Sequence, residues 1–457
     1  MFASASFALT LLMFVFGPTA SAQTAQPWLQ DRRETQGAGI RAGNLELHPG
    51  VAAELGYDSN FFLAAGTSGE PTIPTVRLRI TPSLSLSTLG QQRTTATDTG
   101  PDDVPPEPPK ARFRSTLALS YDKLFATRDQ YSSDVNSRSY VGADLNAGVD
   151  ILPERPWGVG LTAGYTRIDQ PYNSPGQLAL DHSTYAGGGD LRWRPGGGLL
   201  EWHWAYNARL TNYDDPAYAL DTVVHGLQTR GVWRFLPRTG LFYQGDVGFV
   251  VHRSLDARVP DSTPVASQLG VNGLITSSIG ALLMGGWKSI FTTPYPNGVQ
   301  EEFDNPIGRA ELTWFIGAAG QADPTAANVG FSTLKLGAFH DGFTSDLANY
   351  YKIDKGYLEL SAMLAGVVYL QASAGVASVR HSTPRNADGR PLIKGTLREL
   401  RQDVGLYGEY RVMKSFALFL NSAFSSSPRN NVVSLVGGTD ALKYTRFTVL
   451  VGARWFL

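Results

Sequence analysis

The chain has 457 residues, with 39 basic against 40 acidic side chains, a formal charge of −1 and no cysteine. This excludes a disulfide framework, a thiolate metal site and a cysteine nucleophile. The even charge balance, with only 17% charged residues, also excludes an electrostatic nucleic-acid binder and a disordered polyelectrolyte. Forty-nine glycines, 27 prolines and 11% aromatic residues against five methionines point to strands and turns.

The first element is a leader. Residues 7–16 are apolar, Gly17-Pro18 breaks them, and Ala20-Ser21-Ala22 supplies a small-x-small pattern before Gln23. The expectation is a signal peptide over 1–22, cleaved between Ala22 and Gln23, although no Lys or Arg precedes the apolar core. No lipobox cysteine follows, and beyond the leader no run of about 18 apolar residues offers a helical span. Residues 23–43 read as a polar linker and 44–457 as the folded domain.

From there the chain alternates in polarity with period two, between Gly, Pro, Asn and Asp clusters. In 76–87 the odd positions hold Arg77, Arg79, Thr81 and serines. In 200–210, Trp202, Trp204, Tyr206 and Leu210 share one side, and Glu201, His203, Asn207 and Arg209 the other. In 400–412, Val404, Leu406 and Tyr410 oppose Arg401, Asp403, Glu409 and Arg411. About eighteen such strands are predicted, with sixteen as the alternative. They fall at 45–57, 75–87, 111–125, 137–150, 157–168, 182–194, 199–212, 223–236, 240–253, 265–277, 279–291, 304–317, 328–341, 350–363, 367–380, 397–412, 415–426 and 442–457.

Tight links at 153–156, 195–198, 237–240, 365–366 and 413–415 alternate with longer loops at 58–74, 169–181, 213–222, 254–264, 382–396 and 427–441. That rhythm predicts an all-β, antiparallel, up-and-down transmembrane barrel with short turns and both termini on the periplasmic side. One connector, the proline-rich 90–110, breaks the short-turn rule. The final strand resembles the C-terminal signature of bacterial outer-membrane barrels, with the usual terminal Phe one place early at Phe456.

Aromatic residues at segment ends, Trp193, Trp202, Trp233, Tyr243, Trp314 and Trp455, read as a lipid-facing girdle. The polar faces read as a pore wall. Its first half comprises Arg77, Arg79, Arg112, Arg114, Asp144, Asp190, Arg192, Glu201, His203, Arg209 and Arg230. Arg234, Asp246, Arg309, Glu311, Lys335, Tyr369, Arg401, Asp403, Tyr407, Glu409 and Arg411 complete it. Interspersed signs argue against rings of one charge, hence against strong ion selectivity.

Catalytic patterns are missing. Seven scattered histidines show no metal-ligand spacing, and His182-Ser183 are strand neighbours that point to opposite faces. Asn386-Ala-Asp-Gly389 reads as a turn and not a calcium loop. No enzyme activity, metal or cofactor is expected.

Gly43-Asn-Leu45-Glu-Leu47-His-Pro49, followed by Leu55-Gly-Tyr57-Asp58-Ser-Asn60-Phe-Phe62, resembles the opening hairpin of outer-membrane β-barrel porins associated with exopolysaccharide and capsule biosynthesis. The resemblance implies a conduit for a polysaccharide in transit, working beside a periplasmic polysaccharide-export protein, for which Pro101–Pro109 offers a docking element. It also implies contact with outer-membrane lipid, lipopolysaccharide and the barrel-assembly machinery, and none with nucleic acid. Two other readings stay open. One is a diffusion porin for small solutes, with 382–396 or 427–441 long enough to supply a constriction loop. The other is a structural or adhesive barrel acting through its outer loops.

Overall fold

Thr75–Thr88 shows how the pattern becomes structure. Thr75, Arg77, Arg79 and Thr81 are buried on one side, while Ile80 and Leu84 stay exposed on the other. Only an extended chain with side chains alternating across a sheet sorts them so. The computed structural model describes residues 39–66, 71–88, 110–168, 181–214, 220–254, 259–316, 332–345, 348–392, 397–428, 432–433, 440–441 and 443–457.

Eighteen strands form the wall. They are β1 (Leu45–Asp58), β2 (Thr75–Thr88), β3 (Ala111–Ala126), β4 (Tyr140–Ile151), β5 (Trp157–Ile168) and β6 (His182–Trp193). Next come β7 (Leu200–Tyr213), β8 (Thr222–Leu236), β9 (Thr239–His252), β10 (Ser262–Leu274), β11 (Ile279–Thr292) and β12 (Phe303–Ile316). The last are β13 (Ser332–Thr344), β14 (Tyr350–Leu364), β15 (Val368–His381), β16 (Arg398–Met413), β17 (Phe416–Ser427) and β18 (Tyr444–Phe456). Each strand pairs antiparallel with its neighbours in sequence, and β18 returns to β1, from Gly50 opposite Phe456 to Asp58 opposite Thr448. The ring is closed, so every wall strand has a partner on both sides. Eighteen tilted strands at ~4.8 Å spacing make a backbone cylinder roughly 35 Å across.

The expected strands are found at the expected places, each displaced by a few residues at most. The largest shift is the strand expected over 328–341, which starts at Ser332. Residues 317–331 separate β12 from β13, a long interval like the proline-rich one between β2 and β3. Residues 89–109 and the leader with Ala22 and Gln23 fall outside the described residues. Ile40–Ala42, inside the expected linker, pairs with Leu45–Leu47 as a short strand.

The other links at the termini end are tight. In the β14–β15 turn, Ala365 and Gly366 have φ of 51° and 70°, and the Val367 amide donates to the Leu364 carbonyl at 3.1 Å. Two consecutive left-handed residues match the right-handed twist of a hairpin, which is why Gly stands at 366. The opposite end carries larger loops, one of which, 127–139, holds the five-residue helix Ser132–Asn136. Among the described residues no helix is long and apolar enough to cross a membrane.

The outward face is apolar. Leu55, Leu161, Leu227, Leu269, Leu283, Leu336, Val404 and Val451 are all exposed along it. Leaving one such side chain in water costs roughly 1–3 kcal/mol, so a continuous belt of them requires an apolar surrounding. The expected girdle residues Trp193, Trp202, Trp233, Tyr243, Trp314 and Trp455 stand on this face, all towards the termini end. Sequence reading missed the second ring, where exposed Tyr57, Phe125, Phe249, Phe291 and Phe447 stand towards the loop end.

Candidate functional site

Because side chains alternate, the polar parity of every strand projects into the barrel, and the expected wall residues all occupy it. Their surroundings differ around the ring. Where β18 meets β1, charges interlock. Arg77 and Arg79 both donate to Asp122, Arg79 Nε at 2.9 Å. Arg79 also lies 3.6 Å from Glu54, and Arg77 donates to the Tyr140 hydroxyl at 2.9 Å. Arg446 donates to Asp58 at 3.0 Å, and Arg454 to Glu409 at 2.7 Å. Glu409 also accepts from Tyr407 at 2.7 Å and Arg411 at 3.3 Å. Tyr369 packs edge-on against Tyr407. Asp122 is 0% and Arg77 7% exposed, so this cluster sits behind its own side chains.

The motif residues belong to the same seam. Asn60 receives the Ala64 amide on its side-chain oxygen at 2.9 Å and donates to the carbonyls of Ala64 and Thr445 at 2.8 and 3.1 Å. Phe61 and Phe62, set edge to face, pack with Ile73, Val135 and inner-face Leu124. Residues 59–66, 71–74 and 127–139 thus fold onto the inner wall at the loop end. The loops expected from their length to be able to supply a constriction are 382–396 and 427–441. The described part of the former is tied to another loop, with Arg385 and the Thr383 amide donating to Glu301. Most of the latter lies outside the described residues.

Away from the seam the charges form smaller groups. Arg112 pairs with Glu154, and Asp144 accepts from Asn146 at 2.6 Å and Thr166 at 3.4 Å. Arg114 shares the face of Arg112. Arg192 bridges Asp190, at 3.0 Å, and Asp150. Glu201 gathers His203 at 2.6 Å, Arg194 at 2.9 Å and Arg234 at 2.9 Å. Arg230 lies over the Phe242 ring at 5.1 Å, with Arg209 on the same face of the neighbouring strand. Asp246 accepts from Gln228 and Gln244 at 2.8 and 3.0 Å. Glu311 takes hydrogen bonds from Arg309 at 2.7 Å and Tyr357 at 2.6 Å. Lys335 reaches Glu359 at 3.2 Å, Arg401 donates to Glu399 at 2.8 Å, and Asp403 faces Lys355 at 3.4 Å. The side chains of Glu359 and Asp403 are 48% and 47% exposed, so this part of the wall meets water.

One expectation fails. The inner face is not polar throughout: Ala266, Ile290 and Ile307 line it beneath Phe303, and Phe343, Ile353, Ala377 and Val379 continue the patch. Phe303 lodges where β12 and β13 part, above the Gly308–His340 pair. Its ring occupies the space over Gly342, where a Cβ would come within 2.5 Å. The available signal was the inner parity of 303–307, which holds Phe303 and Ile307 while Asp304 falls on the outer side. The candidate wall set leaves out Glu54, Asp58, Asp122, Arg446 and Arg454, although the period-two pattern puts Asp122, Arg446 and Arg454 on polar faces.

His182 and Ser183 point to opposite faces of their strand. His182 stacks near Tyr213, while Ser183 meets Tyr165 and Arg167 on the other face. No cluster of three or more metal-ligating side chains occurs among the described residues. Asn386–Gly389 is a turn, with the Gly389 amide donating to the Asn386 carbonyl at 2.9 Å. An apolar outside and a charged, internally paired inside define the class: a closed β-barrel of the membrane-spanning type.

No family model and no curated protein sequence matches the chain. Among solved structures it is similar to OpdL of Pseudomonas aeruginosa, at 10% identity and a TM-score of 0.45 over 91% of this chain and 99% of that one. OccAB3 of Acinetobacter baumannii is similar at 11% identity and a TM-score of 0.44, over 90% and 99%. The FrpB iron transporter of Neisseria meningitidis is similar at 7% identity and a TM-score of 0.45, over 90% and 81%. These are remote likenesses, and the strand pairing above defines the barrel without them.

Proposed function

We propose that this chain is an outer-membrane porin through which small hydrophilic solutes diffuse, with both termini in the periplasm. The observation that carries it is the closed eighteen-strand ring, apolar outside and lined inside by paired charges of both signs. A wall of neutralised pairs passes hydrated solutes without holding them, and lacks the single-sign rings of a strongly ion-selective filter.

Secretion of a polysaccharide is the second reading, resting on the resemblance of the opening hairpin. Asp58, Asn60 and Phe62 of that motif all have work in the seam and the loop cluster, so they carry no information about cargo. The proline-rich 101–109 stays a proposed docking element within that reading. The test is reconstitution in planar bilayers and in vesicles loaded with graded sugars. Stepwise conductance with size-limited uptake of small sugars is expected. Absence of conductance defeats the porin reading. Loss of a surface polymer in a deletion strain, with small-solute uptake unchanged, favours secretion.

A further inference from the structure

Three cations stand in register on the outward face of β14, β15 and β16. Lys352 is the cross-strand partner of Arg380, and Arg380 of Arg398. Such partners project to one side of the sheet with Cβ atoms ~5 Å apart, and like charges so placed repel. Arg380 and Arg398 are both exposed. The next rung down holds Asp354, Ser378 and Leu400, and Asp354 is engaged with His340 at 2.6 Å. Lys123, another outward cation near this rim, lies over the Phe125 ring at 6.0 Å.

Height along the barrel identifies what the row would meet. On β14 the outward positions from Leu364 up through Leu360 and Leu358 are apolar. Lys352 stands above them, roughly 30 Å along the axis from Leu364 at ~3.3 Å per residue and ~40° tilt. An outer-membrane apolar band is about 25 Å tall. The row therefore lies just above the acyl chains, at headgroup level on the loop side. Guanidinium groups bind phosphate oxygens bidentately, and the register places two of them and a lysine ammonium side by side.

We propose that the Lys352–Arg380–Arg398 row is a docking site for the phosphate groups of a phosphorylated outer-leaflet lipid. This rests on the reading of the barrel as an outer-membrane protein with its loop end outermost. The test uses full-length protein in detergent, titrated by native mass spectrometry with bis-phosphorylated lipid A and with the same lipid stripped of phosphate. Lipid A retention at least tenfold above the stripped lipid is expected. The K352Q/R380Q/R398Q variant should lose that difference, and K123Q should keep it. Equal retention of the two lipids, unchanged binding by the triple variant, or inorganic phosphate binding as tightly as lipid A each overturns the site. Wild-type protein that fails to insert into vesicles overturns the membrane reading and the site together, whereas normal insertion with phosphate-blind binding overturns the site alone.

Discussion

The wall on either side of the β18–β1 junction and the wall around β13–β16 use the same residue types to different ends. At the junction Arg77, Arg79, Arg446 and Arg454 are buried against Glu54, Asp58, Asp122 and Glu409. Farther along the ring, Lys335, Lys355, Glu359 and Asp403 pair nearer to water. The difference follows from connectivity. Every other pair of neighbouring wall strands is joined by a chain segment, while β18 and β1 are held by contacts alone. A buried charge deprived of its partner is costly, whereas an exposed pair is worth at most about 1 kcal/mol. Charges at the junction are therefore fasteners, and those on β13 to β16 away from it are free to face a permeant.

The sharpest way to break that distinction is at Asp122. Asp122→Asn leaves two buried guanidinium groups short of a counter-charge and should cost about 3–5 kcal/mol, read as a lower urea midpoint in folded-barrel gel shifts. A midpoint equal to wild type would mean the seam charges are solvated after all. Phe62→Ala comes next, with a local loss of about 3 kcal/mol and a wider loop-end mouth. Single-channel conductance should rise while the gel-shift midpoint moves less than for Asp122→Asn. Reversing Lys335 and Lys355 to Glu should leave stability within about 1 kcal/mol yet move the reversal potential in a salt gradient towards cation preference.

The smallest effect concerns the loops at the outer mouth. Burial pushes the Tyr295 hydroxyl up from 10.0 to about 12, and it donates to Asn349 at 2.7 Å. A loosened loop releases this proton near pH 10.0, while the packed loop keeps it to about pH 12. The contribution is therefore intact below the lower value and lost as pH rises through the upper one. Closure noise in bilayer recordings should grow over that window, and Tyr295→Phe should remove the trend.

Much of this architecture was legible because strand alternation is local: parity alone puts Arg401, Asp403 and Glu409 on one face and Val404 and Leu406 on the other. The distinction between fasteners and open wall was not. Whether Arg79 is sealed or wet depends on Asp122 and Glu54 from other strands and on Phe61 and Phe62 folding back above them. The same holds for Phe303, whose ring fills a gap that exists only because β12 and β13 separate. Periodicity reports the direction of a side chain and is silent about what waits there.

The clasp between Asp58 and Arg446 joins positions 388 apart in sequence. Bringing together points so distant costs on the order of 5 kcal/mol in chain entropy, against far less for a hairpin. Biogenesis should therefore be all or nothing. A ribosome product cut short before Tyr444 would present seventeen zipped strands and two raw borders, a template for coalescence with its siblings and a ready target for periplasmic proteolysis.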